Sequence, residues 1–248
     1  MLNFDNFSFD YEPYPIGFTR PAFEAEFYGQ LVGSFPPLEL FKFMESKGEK
    51  YSLSQHNNGD QYRQFVKSSP PWRRLHAFIH SSDYITRTFD MLRAHNLDLD
   101  LPSPGFTTRM SQKFRAWKRG NPIPHFPRLK ARFEFSAMPI TGGSIAPHTD
   151  NIRKVVTMVV PILNEDEWNP NWGGGTSVVK PKDVRHLFNR INNYLGFDEV
   201  EEIKTFPFLS NQCLVFIKTD SSWHAVWPMT GKDRSVIRKT LTINIERS

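Results

Sequence analysis

Only one cysteine, Cys213, occurs in the 248 residues, so an internal disulfide is excluded. It lies in the apolar run Cys213-Leu214-Val215-Phe216-Ile217, where a thiol reads as a small buried hydrophobe. No apolar run approaches the roughly 20 residues that a transmembrane helix needs. The start, Met1-Leu2-Asn3-Phe4-Asp5, has neither the basic residues nor the apolar stretch of a secretory signal. Internal repeats and low-complexity tracts are absent too. The expectation is a soluble, cytoplasmic protein without a membrane partner.

What is present is a globular composition: 39% hydrophobic and 23% charged, with 22 phenylalanines to fill a core. The length suits a single domain, residues 1–248, of mainly β structure with flanking helices. Lys and Arg number 31 against 26 Asp and Glu, a net charge of +5. That excess suits an anionic substrate, an anionic cofactor or nucleic acid, and selects none of them.

The first half, 1–127, reads as a mainly helical preface ending in a loop cover. Thr19 and Pro21 open one expected helix, with Phe23, Phe27 and Leu31 on one face and Gly33 after its end. Pro36-Pro37 opens a second, through Leu40, Phe41 and Met44 to Gly48. Pro70-Pro71 precedes a third, carrying Trp72, Leu75, Phe78 and Ile79. Ser82 caps a fourth, with Ile85, Phe89 and Leu92. The stretch 101–127 is rich in Pro, Arg and Lys, and reads as a loop that covers a site and orders when substrate binds.

After residue 128 the hydrophobic period changes. Segments 132–138, 155–163, 176–180, 212–218 and 236–245 are strand candidates, alternating or rich in β-branched residues. One helix interrupts them, started by Asp183, striped by Val184, Leu187, Phe188, Ile191, Tyr194 and Leu195, and stopped by Gly196. Short strands behind a helical preface suggest a jelly-roll barrel over 128–248.

The chemistry centres on Gly142-Gly143-Ser144-Ile145-Ala146-Pro147-His148-Thr149-Asp150. In extended backbone His148 and Asp150, two apart, point the same way, and a preceding turn brings both onto one ion. Two imidazoles and one carboxylate on one face of an octahedron bind Fe(II) and leave positions open. The second histidine is then expected on a downstream strand, and His224, just after 213–218, fits. Alone, His148-x-Asp150 equally fits a loop histidine beside a solvated aspartate. Further on, Arg238, Thr240 and Thr242 share one face of the last strand, while Leu241, Ile243 and Ile245 share the other. An inward arginine and hydroxyl make a fork for a carboxylate; outward, the same residues are only a polar stripe.

The ordered set His148-x-Asp150, Trp172-Gly173-Gly174-Gly175-Thr176, Phe206-Pro207, His224-x-Val226-x-Pro228 and Arg238-x-Thr240-Leu241 resembles the iron(II)/2-oxoglutarate dioxygenases of the prolyl-hydroxylase-like type. The resemblance spans about 130–248. It implies a double-stranded β-helix (a jelly-roll, cupin-like barrel), with Fe(II) on His148, Asp150 and His224. It also implies 2-oxoglutarate chelating iron, with its far carboxylate on Arg238 and Thr240, and O2 as co-substrate. Related halogenases carry Gly or Ala where Asp150 stands, so the resemblance favours hydroxylation or another oxidation. Nucleic-acid dealkylases place a second arginine six residues after the co-substrate arginine, where this chain has Asn244.

Other histidines and basic residues offer less. His76 and His80, four apart on a helix, read as a solvated face, since Ala77 replaces the Glu of a metalloprotease helix. His56, His95, His125 and His186 lack ligand partners at informative spacing. The cluster Arg109, Lys113, Arg115, Lys118, Arg119, Arg128 and Lys130 fits substrate steering or a nucleic-acid contact. Arg132 and Glu134 face the site or form a surface pair. The expected activity is oxidation of a small polar or anionic metabolite such as an amino-acid derivative. The rivals are a peptidyl prolyl-type hydroxylase and a non-catalytic basic barrel that binds nucleic acid or phosphate.

Overall fold

Four long strands each present two different faces, an apolar one that is buried and a polar one that is buried or part-buried. In β5 (Leu129–Pro139) Phe133, Phe135 and Ala137 point one way while Arg132, Glu134 and Ser136 point the other. β12 (Ile237–Arg247) sets Leu241, Ile243 and Ile245 against Arg238, Thr240, Thr242 and Asn244. β7 (Lys154–Pro161) and β10 (Cys213–Ile217) repeat this, with Met158 and Val215 on the first face and Thr157 and Phe216 on the second. Antiparallel register keeps the faces aligned: Leu241 lies opposite Phe135, and Thr240 opposite both Ser136 and Pro161.

The computed structural model describes residues 1–45, 48–99, 114–115, 117–120 and 128–247. It contains two antiparallel sheets. The larger has eight strands in the order β1-β2-β10-β7-β12-β5-β4-β3, where β1 is Ser8–Asp10, β2 Ile16–Thr19, β3 Lys42–Met44 and β4 Lys50–Leu53. The smaller has the order β6-β11-β8-β9, formed by Ile145–His148, His224–Val226, Thr176–Pro181 and Val200–Phe206 respectively. Among the described residues no helix is long and apolar enough to cross a membrane.

The apolar face of the large sheet is covered by helices α1 (Ala25–Gly33), α2 (Gly59–Ser68), α3 (Pro70–Ile79) and α4 (Ser82–Ala94). Their buried stripes, among them Leu31, Tyr62, Trp72, Leu75 and Leu92, form one core with Phe133, Phe135, Leu241 and Ile243. Phe135 is its centre. Its ring meets Trp72 at 4.7 Å and 73° and Phe65 at 5.6 Å and 84°, the edge-to-face geometry aromatic quadrupoles favour. Burying one such side chain contributes about 1.5–3 kcal/mol.

Several sequence-derived elements differ. α1 starts at Ala25, not after Thr19, because Thr19 is sheet-paired with Cys213 in β2–β10. The segment after Pro36-Pro37 makes only a 3₁₀ turn at Leu38–Leu40 before entering β3, which pairs with β4. The cap of α4 is Ser81, whose Oγ accepts from the Tyr84 amide at 3.3 Å. α2 had no expected counterpart, because its stripe is only Tyr62 and Val66 in a polar run. The helix expected from Asp183 is also replaced by a 3₁₀ turn, Val184–His186, and irregular chain. Val184, Phe188 and Ile191 are exposed there, so the stripe has no surface to bury. The backbone is tied outward instead: Leu195 N–H donates to Pro147 O, Asn189 N–H to Asp220 O, and Asn192 is left-handed. The expected cover over 101–127 lies, apart from 114–115 and 117–120, outside the described residues.

Candidate metal centre and its cavity

A cavity of about 600 Å³ separates the polar face of the large sheet from the small sheet. Ser136, Thr157, Phe216, Arg238, Thr240 and Thr242 line it from one side, and His148, Thr176, His224 and Val226 from the other. His148 ends β6 and pairs in register with His224 of β11, which brings the ring centroids to 4.4 Å. Asp150 lies beyond the strand with φ 70°, in the left-handed region that few non-glycine residues adopt. Convergence of His148 and Asp150 therefore involves a left-handed turn at Asp150 itself, whereas alternation with a turn before His148 was expected. Such strain persists where surrounding contacts over-determine the backbone.

Those contacts are visible. Lys154 Nζ donates to Asp150 Oδ1 at 2.6 Å, and Thr157 Oγ1 lies 3.1 Å from Oδ2. His148 Nε2 is 3.5 Å from Oδ1, and His224 Nε2 is 3.8 Å from Oδ2. One ligand atom from each of the three residues lies within 4.8 Å of the others. All three side chains are buried.

Protonation fits a cation. Nδ1 of His148 is 2.9 Å from Ala146 O, and Nδ1 of His224 is 2.9 Å from Ser222 O. A carbonyl can only accept, so each Nδ1 carries a proton, and Nε2 is the nitrogen turned toward the cluster. Burial, then the neighbouring His148, pushes His224 down to about 3, so it stays neutral. Burial opposes the charge on Asp150, but the Lys154 ammonium holds it well below the usual carboxylate range. Two imidazoles and one ionised carboxylate, with no sulfur, suit Fe(II).

Arg238 lies on the same cavity wall, only 3% exposed. Its Nε donates to Gly174 O at 2.6 Å, and its guanidinium sits 4.6 Å over the Phe208 ring. Burial pushes it down to about 9, and among the described residues no carboxylate pairs with it. Thr240 Oγ1 is 3.5 Å from Ser136 O, too long for a strong bond, so the hydroxyl remains free to serve the cavity. The polar stripe of β12 thus faces inward.

The sequence reading missed the supports Lys154, Thr157 and Phe208, and named Gly174 only within a motif, without its contact to Arg238. Asn244 was within reach, because the alternation that pairs Arg238 with Thr240 also places Asn244 on that face. Arg132 and Glu134 lie on the site-facing side and are part-buried, Arg132 bonded to Glu246 and Glu134 to Lys50, each at 2.8 Å. His76 departs from its expected solvated face. It is half-buried against Phe133 at 5.4 Å and stacks on His80 at 3.9 Å.

No family model and no curated protein matches the chain. Among solved structures, a prolyl 4-hydroxylase from Phytophthora capsici matches with 17% identity and TM-score 0.54, over 94% of this chain and 59% of that one. The chain thus spans 59% of that protein's length. A prolyl-4-hydroxylase from Pseudomonas putida matches at 15% identity and TM-score 0.48, over 96% of each chain. HygX from Streptomyces hygroscopicus, with nickel and 2-oxoglutarate bound, matches at 11% and 0.48, over 94% and 83%. The chain has the prolyl 4-hydroxylase fold. A shared fold does not settle chemistry, which lives in the site. Within this prolyl 4-hydroxylase fold, the site holds two imidazoles, one carboxylate and a buried guanidinium.

Proposed function

We propose that this chain is an iron(II)- and 2-oxoglutarate-dependent oxygenase. It hydroxylates, or otherwise oxidises, an unactivated C–H bond of a small polar metabolite such as an amino-acid derivative, releasing succinate and carbon dioxide. The observation that carries the reading is one cavity holding both the His148–Asp150–His224 cluster and the buried Arg238, with which no carboxylate among the described residues pairs. In this reading the two sheets are opposite walls of a double-stranded β-helix. Residues 128–248 form the catalytic core of a single domain, and 1–127 support it.

Iron with 2-oxoglutarate and O2, when bound, supplies the oxidising power for C–H cleavage. The protein's own groups bind, orient and exclude. His148, Asp150 and His224 would hold the ion, two imidazoles and a carboxylate being a donor set that suits Fe(II). Arg238 takes the distal carboxylate of 2-oxoglutarate with its planar fork, steadied by Gly174 O and Phe208, and Thr240 adds a hydroxyl donor. A buried guanidinium needs such an anion, since an isolated buried charge costs several kcal/mol. Ile145, Val159, Phe216 and Val226 are among the apolar lining residues that limit water.

Anaerobic loading with Fe(II) and 2-oxoglutarate, followed by O2 and pooled metabolites, tests the reading. Succinate should appear with one oxidised product. Protein that neither retains Fe(II) nor forms succinate with any pool defeats it. A peptidyl prolyl-type hydroxylase is the second reading. Tyr194 supports it, because its ring stacks on His148 at 5.1 Å while the residue is 54% exposed at the cavity. Gain of one oxygen by a proline-containing peptide, with none by free metabolites, would favour it.

A further inference from the structure

Asn244 sits in the middle of β12, paired on both sides, opposite Thr157 of β7 and Arg132 of β5. Asparagine is depleted from strands, and this one is 1% exposed. A buried amide in a central strand is costly unless it is bonded. Its partner is Thr157, whose Oγ1 is 3.0 Å from the Asn244 amide oxygen position and 3.1 Å from Asp150 Oδ2.

One hydroxyl carries one proton and faces two oxygens. If Thr157 gave its proton to Asn244, its own lone pairs would face the ionised Asp150 at 3.1 Å. The charged acceptor makes the stronger bond, so the proton belongs on Asp150. The side-chain amide then presents N–H to Thr157, by a half-turn that exchanges two nearly isosteric ends. The result is a directional chain: Asn244 N–H to Thr157 Oγ1, then Thr157 O–H to Asp150 Oδ2. Lys154 holds the other carboxylate oxygen at 2.6 Å. Both oxygens are thereby aimed, and each keeps a lone pair for an ion.

We infer that Asn244 is a positioning residue that orients the metal-binding carboxylate of Asp150 through Thr157. The inference rests on the proposed metal site, and it assigns a role to a residue that touches neither metal nor substrate. Outer groups of this kind typically change metal affinity by about ten- to a hundred-fold.

Co(II) titration, read by calorimetry and by the visible absorption of bound cobalt, tests it. Thr157→Val and Asn244→Leu should each weaken Co(II) by roughly ten-fold or more. Both should also alter the cobalt spectrum, which a stability change alone would not do. The double variant should be no weaker than the worse single one, because both break one chain. Thr157→Ser, which keeps the hydroxyl, should stay near the parent protein. If Asn244→Leu does not fold, Asn244→Asp keeps the shape, removes the N–H donor, and should weaken Co(II) in the same direction. Parent-like affinity in the Asn244 variants, or losses that multiply in the double variant, overturns the inference and leaves the metal site standing. Failure of the unmodified protein to bind Co(II) defeats the metal site itself and this inference with it.

Discussion

The two faces of β12 differ in what holds them. Leu241, Ile243 and Ile245 are buried against helices and need only the right volume and shape. Arg238, Thr240 and Asn244 are buried as deeply on the opposite face, and each needs a specific partner. The same strand thus separates a stability surface from a chemical one. Damage to the first should weaken the fold and spare the site; damage to the second should do the reverse.

The comparison breaks most visibly at the metal cluster. His224→Ala should abolish turnover and iron retention and leave the thermal midpoint of metal-free protein nearly unchanged; metal analysis beside a melting curve checks both. Normal activity in that variant would remove the central claim. On the other face, Phe135→Ala empties the aromatic centre and should cost about 3–5 kcal/mol of stability. Its folded fraction should bind iron as the parent does. Urea unfolding followed by metal titration at low urea measures this, and lost metal affinity in still-folded protein would show that the faces are not independent.

Arg238→Ala comes next. Charge-assisted hydrogen bonds contribute about 1.5–3 kcal/mol, so the apparent KM for 2-oxoglutarate should rise about ten- to several-hundred-fold. Iron binding should survive, since Arg238 does not touch the cluster. An unchanged KM would move the clamp elsewhere in the cavity, with Lys50 or Lys154 the cations left to serve. Thr240→Val sharpens the same point at smaller scale: losing one neutral hydrogen bond should cost about a few-fold in KM.

How much of this was legible follows from which interactions are local. Period-two alternation is local, so the strands carrying Phe133, Met158, Val215 and Leu241 were readable. The inward face of Arg238 and Thr240 needed the resemblance as well, because alternation does not say which side is in. The short strands β1 to β4 were not readable. Three or four residues give too little period, and their pairing with β10 and β5 is set by tertiary context. The segment after Asp183 misled for the converse reason. Its helical spacing is real, but its backbone bonds go to Pro147 and Asp220, distant in sequence. At the site, the three candidate ligands were legible only from spacing, chain order and the family resemblance together, while the left-handed Asp150 and its Lys154 and Thr157 supports were not. Those depend on how a turn packs against β7.

The smallest expected effect concerns the apolar face, where His76 packs against Phe133. Burial first, and then neighbouring His80, pushes His76 down to about 4 from the usual 6.5. Its ring lies against Phe133 at 5.4 Å and Tyr62 at 6.0 Å, so the folded protein favours the neutral form. The unfolded chain takes a proton near 6.5 while the folded chain waits until about 4. Its contribution to stability is therefore full above 6.5, declines as pH falls between those values, and changes no further below about 4. The ring is only half-buried, so solvent screens the effect and the loss is modest. His76→Leu keeps apolar contact with Phe133 and removes the titration. Urea midpoints compared at about pH 7.5 and about pH 5 should fall less in His76→Leu than in the parent. Equal falls in both proteins would assign the acid sensitivity to other groups and leave the helix-facing side of β5 electrostatically silent.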